Sequence, residues 1–201
     1  MDSRTFKLMV FYAHNACGSD DVALARAEMA SAGRILGRYG IQLCIWPDDR
    51  GPHQNTIVPK LSGFLGFERD VDPFADNLMI RRWVGAQFPK QIEHWLPVVF
   101  CRFRIENERA AGLTFPDKAG WPIPGLKKYV FINTNKLTSE TNLYKSVLAH
   151  EIVHAAGVAD ENKTNTNNLM YENASLQKAG KDGLSLDASQ LGLMSNVFFQ
   201  K

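Results

Sequence analysis

His150-Glu151-Ile152-Val153-His154-Ala155-Ala156-Gly157-Val158-Ala159-Asp160 is the stretch on which the reading of this chain turns. On a helix, residues four apart lie on one face, a turn from each other. His150 and His154 can therefore aim imidazole nitrogens at one metal ion, which takes each at roughly 2.0–2.1 Å. Glu151 is rotated from His150 by about 100° on a helix of ~3.6 residues per turn, so it projects beside the ion rather than onto it. A carboxylate there can take a proton from water held at the metal, the chemistry that an H-E-x-x-H pattern serves.

The neighbours of these residues say where the helix sits. Leu143, Val147, Leu148, Ala149, Ile152, Val153, Ala155 and Ala156 make it apolar nearly all round, the pattern of a helix in the middle of a protein. We expect it to span about Ser139 to Ala156. Unpaired ionisable groups are costly inside a protein, so the two histidines and Glu151 need partners. A bland alternative is a pair of core histidines bonded to carbonyls, with Glu151 in an ion pair. Gly157, three residues after His154, can end the helix through a left-handed conformation that glycine adopts freely. The chain can then turn back, so that Asp160, six residues after His154, offers a carboxylate to the same ion. Two histidines and one carboxylate leave a fourth position open, as catalytic zinc sites require. Glu161 and Glu172 are the other carboxylates placed to serve as third ligand.

Outward from this segment, the chain opens on a strand, a helix and a strand. Lys7 to Tyr12 is a continuous apolar run, expected of a strand buried on both faces. Val22, Ala25, Met29, Ala32 and Leu36 form one apolar stripe of a helix from about Asp20 to Tyr39, with Gly40 to end it. Ile41, Leu43 and Ile45 alternate with Gln42 and Cys44 as a second strand, and a crossover of this length favours parallel pairing. Strands are also expected at Leu96 to Arg104, Ala110 to Phe115 and Lys128 to Asn133. Helices are expected at Asp76 to Phe88 and Ala188 to Phe199. Asp187, with Gln190 three residues on, is a variant capping box for the last of these. Residues about 47–95 read as an insertion that could flank a cleft.

Composition excludes several classes. The chain has 201 residues, 45% of them hydrophobic and 22% charged, and a formal net charge of +2. That is ordinary globular composition, so disorder, collagen and coiled coil are excluded as the main architecture. No apolar run approaches the ~20 residues that span a bilayer. The mild, scattered positive charge argues against nucleic acid as a partner. Cys17, Cys44 and Cys101 form no close pair, and Cys44 and Cys101 are expected to be buried thiols. Met1-Asp2-Ser3-Arg4-Thr5 carries no charged-then-apolar leader, which points to a cytoplasmic protein, or one exported by a leaderless route.

His150, Glu151, His154 and Gly157 stand in the register of H-E-x-x-H-x-x-G-x-x-H, the mark of the metzincin zinc peptidases when a methionine turn follows. The sequence resembles that family, with Asp160 where most metzincins have a third histidine, as in the snapalysin-like branch. The resemblance implies an α+β, metzincin-like zincin fold. Such a fold has a mixed twisted sheet with a β-α-β start, a central metal-binding helix, a Met-turn and a C-terminal helix. It implies one catalytic Zn²⁺ on His150, His154 and Asp160. The Met-turn would be Asn168-Leu169-Met170-Tyr171, with Met170 packed beneath the metal. A peptide or protein substrate would lie extended along an edge strand at Ala111, Gly112, Leu113 and Thr114. Tyr171 is placed to hydrogen-bond an oxyanion. The expected function is that of a zinc metalloendopeptidase in which Glu151 activates water. Residues 1–201 would form a single catalytic domain and a monomer, with its cleft between about 1–157 and 158–201. Two alternatives stand beside it. One is a leaderless effector that cuts host proteins or peptidoglycan peptide cross-links; the other is a zinc-containing binding module without catalysis.

Overall fold

The computed structural model describes residues 4–13, 19–46, 70–89, 95–104, 110–115, 128–137, 145–160, 165–171 and 184–194. Strand β1 (Arg4–Tyr12) leads to helix α1 (Ser19–Gly37) and strand β2 (Ile41–Trp46). Helix α2 (Asn77–Gln87) precedes strands β3 (Leu96–Cys101), β4 (Gly112–Phe115) and β5 (Tyr129–Asn133). Helices α3 (Val147–Ala155) and α4 (Ala188–Leu193) follow. The five strands form one mixed sheet in the order β2-β1-β3-β5-β4. The first four run parallel, and β4 lies antiparallel to β5 at the edge.

Side chains alternate across a strand, and this alternation divides the core in two. Phe6, Leu8, Val10 and Tyr12 of β1 join Val98, Phe100, Val130 and Ile132 on the face covered by α1 and α3. Met9, Phe11, Val99, Phe131 and Tyr129 face the other way, against Ile80 and Val84 of α2. Residues 8–12 of β1 are buried throughout, as a central strand of a doubly covered sheet requires. The described part of the 47–95 segment thus supplies the cover for the sheet face opposite α3. Val71 also pairs with Phe103, extending the line of β3.

Three expectations need correction. α3 starts at Val147, not near 139, because Ser146 is extended and caps it; residues 138–144 lie outside the described set. α1 stops at Gly37, and Gly40 takes a left-handed φ of 72° within the following turn. Cys44 is exposed rather than buried, whereas Cys101 is buried. β2 is an edge strand, and its inward positions are taken by Ile41, Leu43 and Ile45. Of the last expected helix, Ala188–Leu193 is seen, and 195–199 lie outside the described residues.

Candidate metal centre

Both ends of helix α3 are met by side chains from other elements. At its start, Ser146 Oγ accepts from Ala149 N at 3.0 Å. Glu28 of α1 reaches across, its Oε1 accepting from Ser146 Oγ at 2.6 Å and from Leu148 N at 2.8 Å. At the other end, Lys128 Nζ donates to Ala155 O at 2.6 Å. The ammonium at the C-terminus complements the helix dipole. Burial holds the Glu28 pKa above its ordinary 4.5, despite hydrogen bonds from Ser146, Leu148 and Val147.

Gly157 ends the helix as expected, with a φ of 97°. Its N–H donates to His154 O at 2.8 Å, and Val158 N–H donates to Val153 O at 3.2 Å. These two bonds make a Schellman turn, which needs a left-handed residue at its corner. The turn folds the chain back so that Val158 O accepts from His154 Nδ1 at 2.8 Å. Leu169 O accepts from His150 Nδ1, also at 2.8 Å.

The two carbonyls decide what the outer nitrogens can do. A carbonyl only accepts, so each Nδ1 carries the proton and each neutral ring presents a bare lone pair at Nε2. Both Nε2 atoms face Asp160 Oδ1, at 3.3 Å from His150 and 3.2 Å from His154. Three lone-pair atoms thus converge, and only a proton or a metal cation between them makes that favourable. Ligands ~2.0–2.1 Å from a tetrahedral zinc are about 3.3–3.4 Å apart, so these separations fit zinc. Burial opposes a charge on His150. The Asp160 hydrogen bond, the Glu151 charge, the Leu169 carbonyl and the Asp160 charge outweigh it and hold the pKa above 6.5. Asp160 is held below its ordinary 3.8, chiefly by the His150 hydrogen bond, with burial working the other way. Its side chain is 46% exposed, so the cluster opens to solvent on that side.

Glu151 is buried beside this cluster, turned toward strand β4. Thr114 Oγ1 lies 2.6 Å from Glu151 Oε2 and 3.0 Å from Glu151 O. A hydroxyl both donates and accepts, so Thr114 can partner the carboxyl with or without its proton. Burial raises the Glu151 pKa above 4.5, while His150, the Thr114 hydrogen bond and His154 pull it down. A buried carboxyl thus lies next to three converging lone-pair atoms that could hold a metal ion.

The chain has a metalloproteinase-like fold. It is similar to the crystal structure of metalloproteinase-II from Bacteroides fragilis, with a TM-score of 0.55 and 14% sequence identity. The match covers 96% of this chain and 53% of that one, so the chain spans about half the length of that metalloproteinase. No family model and no curated protein matches the sequence.

In this fold the stretch after α3 returns beneath it. Asn168 Oδ1 accepts from Met170 N at 2.7 Å, shaping the turn that presents Leu169 O to His150. Gln190 of α4 holds Asn168 in turn: its Oε1 accepts from Asn168 Nδ2 at 3.0 Å. Met170 is fully buried among the residues of the α3 face of the core, and Tyr171 is buried beside it. The Asp187–Gln190 capping box is present with both of its hydrogen bonds. Gly112, Leu113 and Thr114 lie in β4, and Ala111 directly precedes it. Glu161 and Glu172 lie outside the described residues.

Sequence reasoning missed the supporting layer. Glu28 sits three residues after Ala25 and four before Ala32, so a carboxyl inside the apolar stripe of α1 was its available signal. Thr114 was read for its backbone alone. Gly112 and Thr114 alternate with Leu113 and Phe115, which was the sign that a different neighbour lay on their face. Lys128 and the Asn168–Gln190 pair had no local signal.

Proposed function

We propose that this chain is a zinc-dependent metalloendopeptidase in which His150, His154 and Asp160 hold the ion and Glu151 is the general acid–base. The observation that carries the proposal is the convergence of two Nε2 atoms and one carboxylate oxygen beside a clamped, buried carboxyl. The metalloproteinase-like fold supports it.

When bound, zinc would supply Lewis-acid polarisation of the scissile carbonyl and ease ionisation of the attacking water. The residues of the chain do the rest. Glu151 takes the proton from water as it attacks and delivers it to the leaving amine. Leu169 and Val158, through their carbonyls, keep His150 and His154 in the ligating tautomer. The substrate lies extended along β4 by strand addition, with Gly112 and Thr114 supplying the backbone groups that point away from β5. Tyr171 donates to the oxyanion, and Met170 forms an apolar floor under the ligands. A purely structural zinc site would have no use for a buried carboxyl clamped beside it, which weighs against the binding-module alternative.

Glu151→Gln tests this reading. The variant should bind one zinc per chain as wild type does and lose roughly 10²–10⁴-fold in turnover of a peptide substrate. Hydrolysis by the variant at the wild-type rate, or wild-type hydrolysis insensitive to a chelator, would sink it.

A further inference from the structure

The edge strand that would receive substrate also grips the base. Residues alternate across β4: Leu113 and Phe115 pack into the core on the α2 side, leaving Gly112 and Thr114 toward α3. Thr114 contributes its hydroxyl to Glu151 Oε2 at 2.6 Å. That length is typical of a charge-assisted bond between a hydroxyl and a carboxylate. Gly112 contributes absence. A Cβ there would lie 2.6 Å from Glu151 Cγ, 2.7 Å from Oε1 and 2.9 Å from Cδ, so the Glu151 side chain occupies the space that a methyl would fill. One neighbour fixes the carboxyl by a directed bond and the next-but-one fixes it by shape. Neither residue belongs to the ligand set.

We propose that Thr114 and Gly112 are positioning residues that together set the Glu151 carboxyl, so that β4 aligns substrate with its backbone edge and the base with its α3-facing side. The inference rests on the peptidase reading for its catalytic meaning, but the placement of Glu151 can be measured without activity. A misplaced base should lower kcat, whereas the hydrogen-bonding backbone of β4, and hence KM, should change little.

Three variants test it: Thr114→Val, which keeps shape and loses the hydroxyl; Thr114→Ser, which restores it; and Gly112→Ala, which adds the methyl. Each would be assayed on a quenched fluorescent peptide selected on the wild-type enzyme. Zinc content, melting temperature and a crystal structure would be obtained for each. Thr114→Val and Gly112→Ala should lower kcat by roughly 10–100-fold, the usual scale for groups that orient reacting residues, and keep their zinc. Their crystal structures should show the Glu151 carboxyl displaced, and Thr114→Ser should recover most of the rate and the wild-type placement. Wild-type kcat in Thr114→Val, or an unmoved Glu151 in both Thr114→Val and Gly112→Ala, would overturn the proposal. A loss of rate matched by loss of zinc and not recovered by serine would also overturn it. If wild type cuts no peptide, the peptidase reading falls, and the placement of Glu151 in the crystal structures still decides the positioning role.

Discussion

Glu28 stands on a different helix from His150 and His154 yet caps the one that carries them. Glu28→Ala should leave Leu148 N–H and the Ser146 hydroxyl without this acceptor and cost about 1–3 kcal/mol, read as a drop in melting temperature. Glu28→Gln is the more telling change. Its amide oxygen can still accept from both donors, and it carries no charge. The folded-state pKa of Glu28 is raised above 4.5 by burial, so the folded protein holds this proton more tightly than the unfolded chain. The associated stability is present in full below about pH 4.5 and is lost as pH rises through the folded-state value. Melting curves from pH 4 to 8 should therefore show Glu28→Gln gaining on wild type as pH rises; a constant or reversed difference would refute the assignment. Gly157 is a simpler case. Its φ of 97° penalises any side chain, so Gly157→Ala should cost about 1–2 kcal/mol. It should also weaken zinc binding, since the same turn delivers Val158 O and Asp160.

Among the elements, α4 shows how local patterns can be read while distant links cannot. Its Asp187–Gln190 capping box was legible because both partners lie within one helical turn. That the same Gln190 also grips Asn168, 22 residues away, was not, because no local pattern records such a contact. The strands were legible for the same reason, as alternation marked β2 and the apolar run marked β1. Leu143 and Val147 continue the apolar pattern across the start of α3, while the cap at Ser146 is completed by Glu28 from α1, which no local pattern marks. The meeting of His150, His154 and Asp160 was the most legible arrangement, since all three lie within one helix end and the turn that Gly157 makes after it. Gln190→Ala should remove the capping box and the Gln190–Asn168 hydrogen bonds, costing about 1–3 kcal/mol. Because Asn168 shapes the turn that offers Leu169 O to His150, the variant should also lose roughly 10-fold or more in zinc affinity by competition with a chelating dye. Ser189→Ala, which removes only an exposed bond to Asp187, is the control and should leave zinc affinity unchanged.

For the molecule as a whole, the division between sheet and metal centre predicts an uneven response to the ion. The sheet has apolar cover on both faces from α1, α2 and α3, and its stability is hydrophobic burial that needs no ligand. The segments after α3 are held differently. Residues 158–160 meet α3 through Asp160 and the Val158 carbonyl, and residues 168–170 through Leu169 O. The latter are stitched to Ser185 and Gln190 by hydrogen bonds. Three lone-pair atoms facing one another hold these pieces together well only with a cation among them. Zinc at 100 times its dissociation constant should add about 2.7 kcal/mol. At about 2–4 °C per kcal/mol for a chain of this size, that is a rise of roughly 5–10 °C in melting temperature. Hydrogen exchange should locate the gain. Chelation should speed exchange at the amides of Val158, Leu169 and Met170, and leave β1, β3 and β5 nearly unchanged. Exchange that accelerates equally across the sheet would mean that the ion holds the whole core together rather than these segments alone.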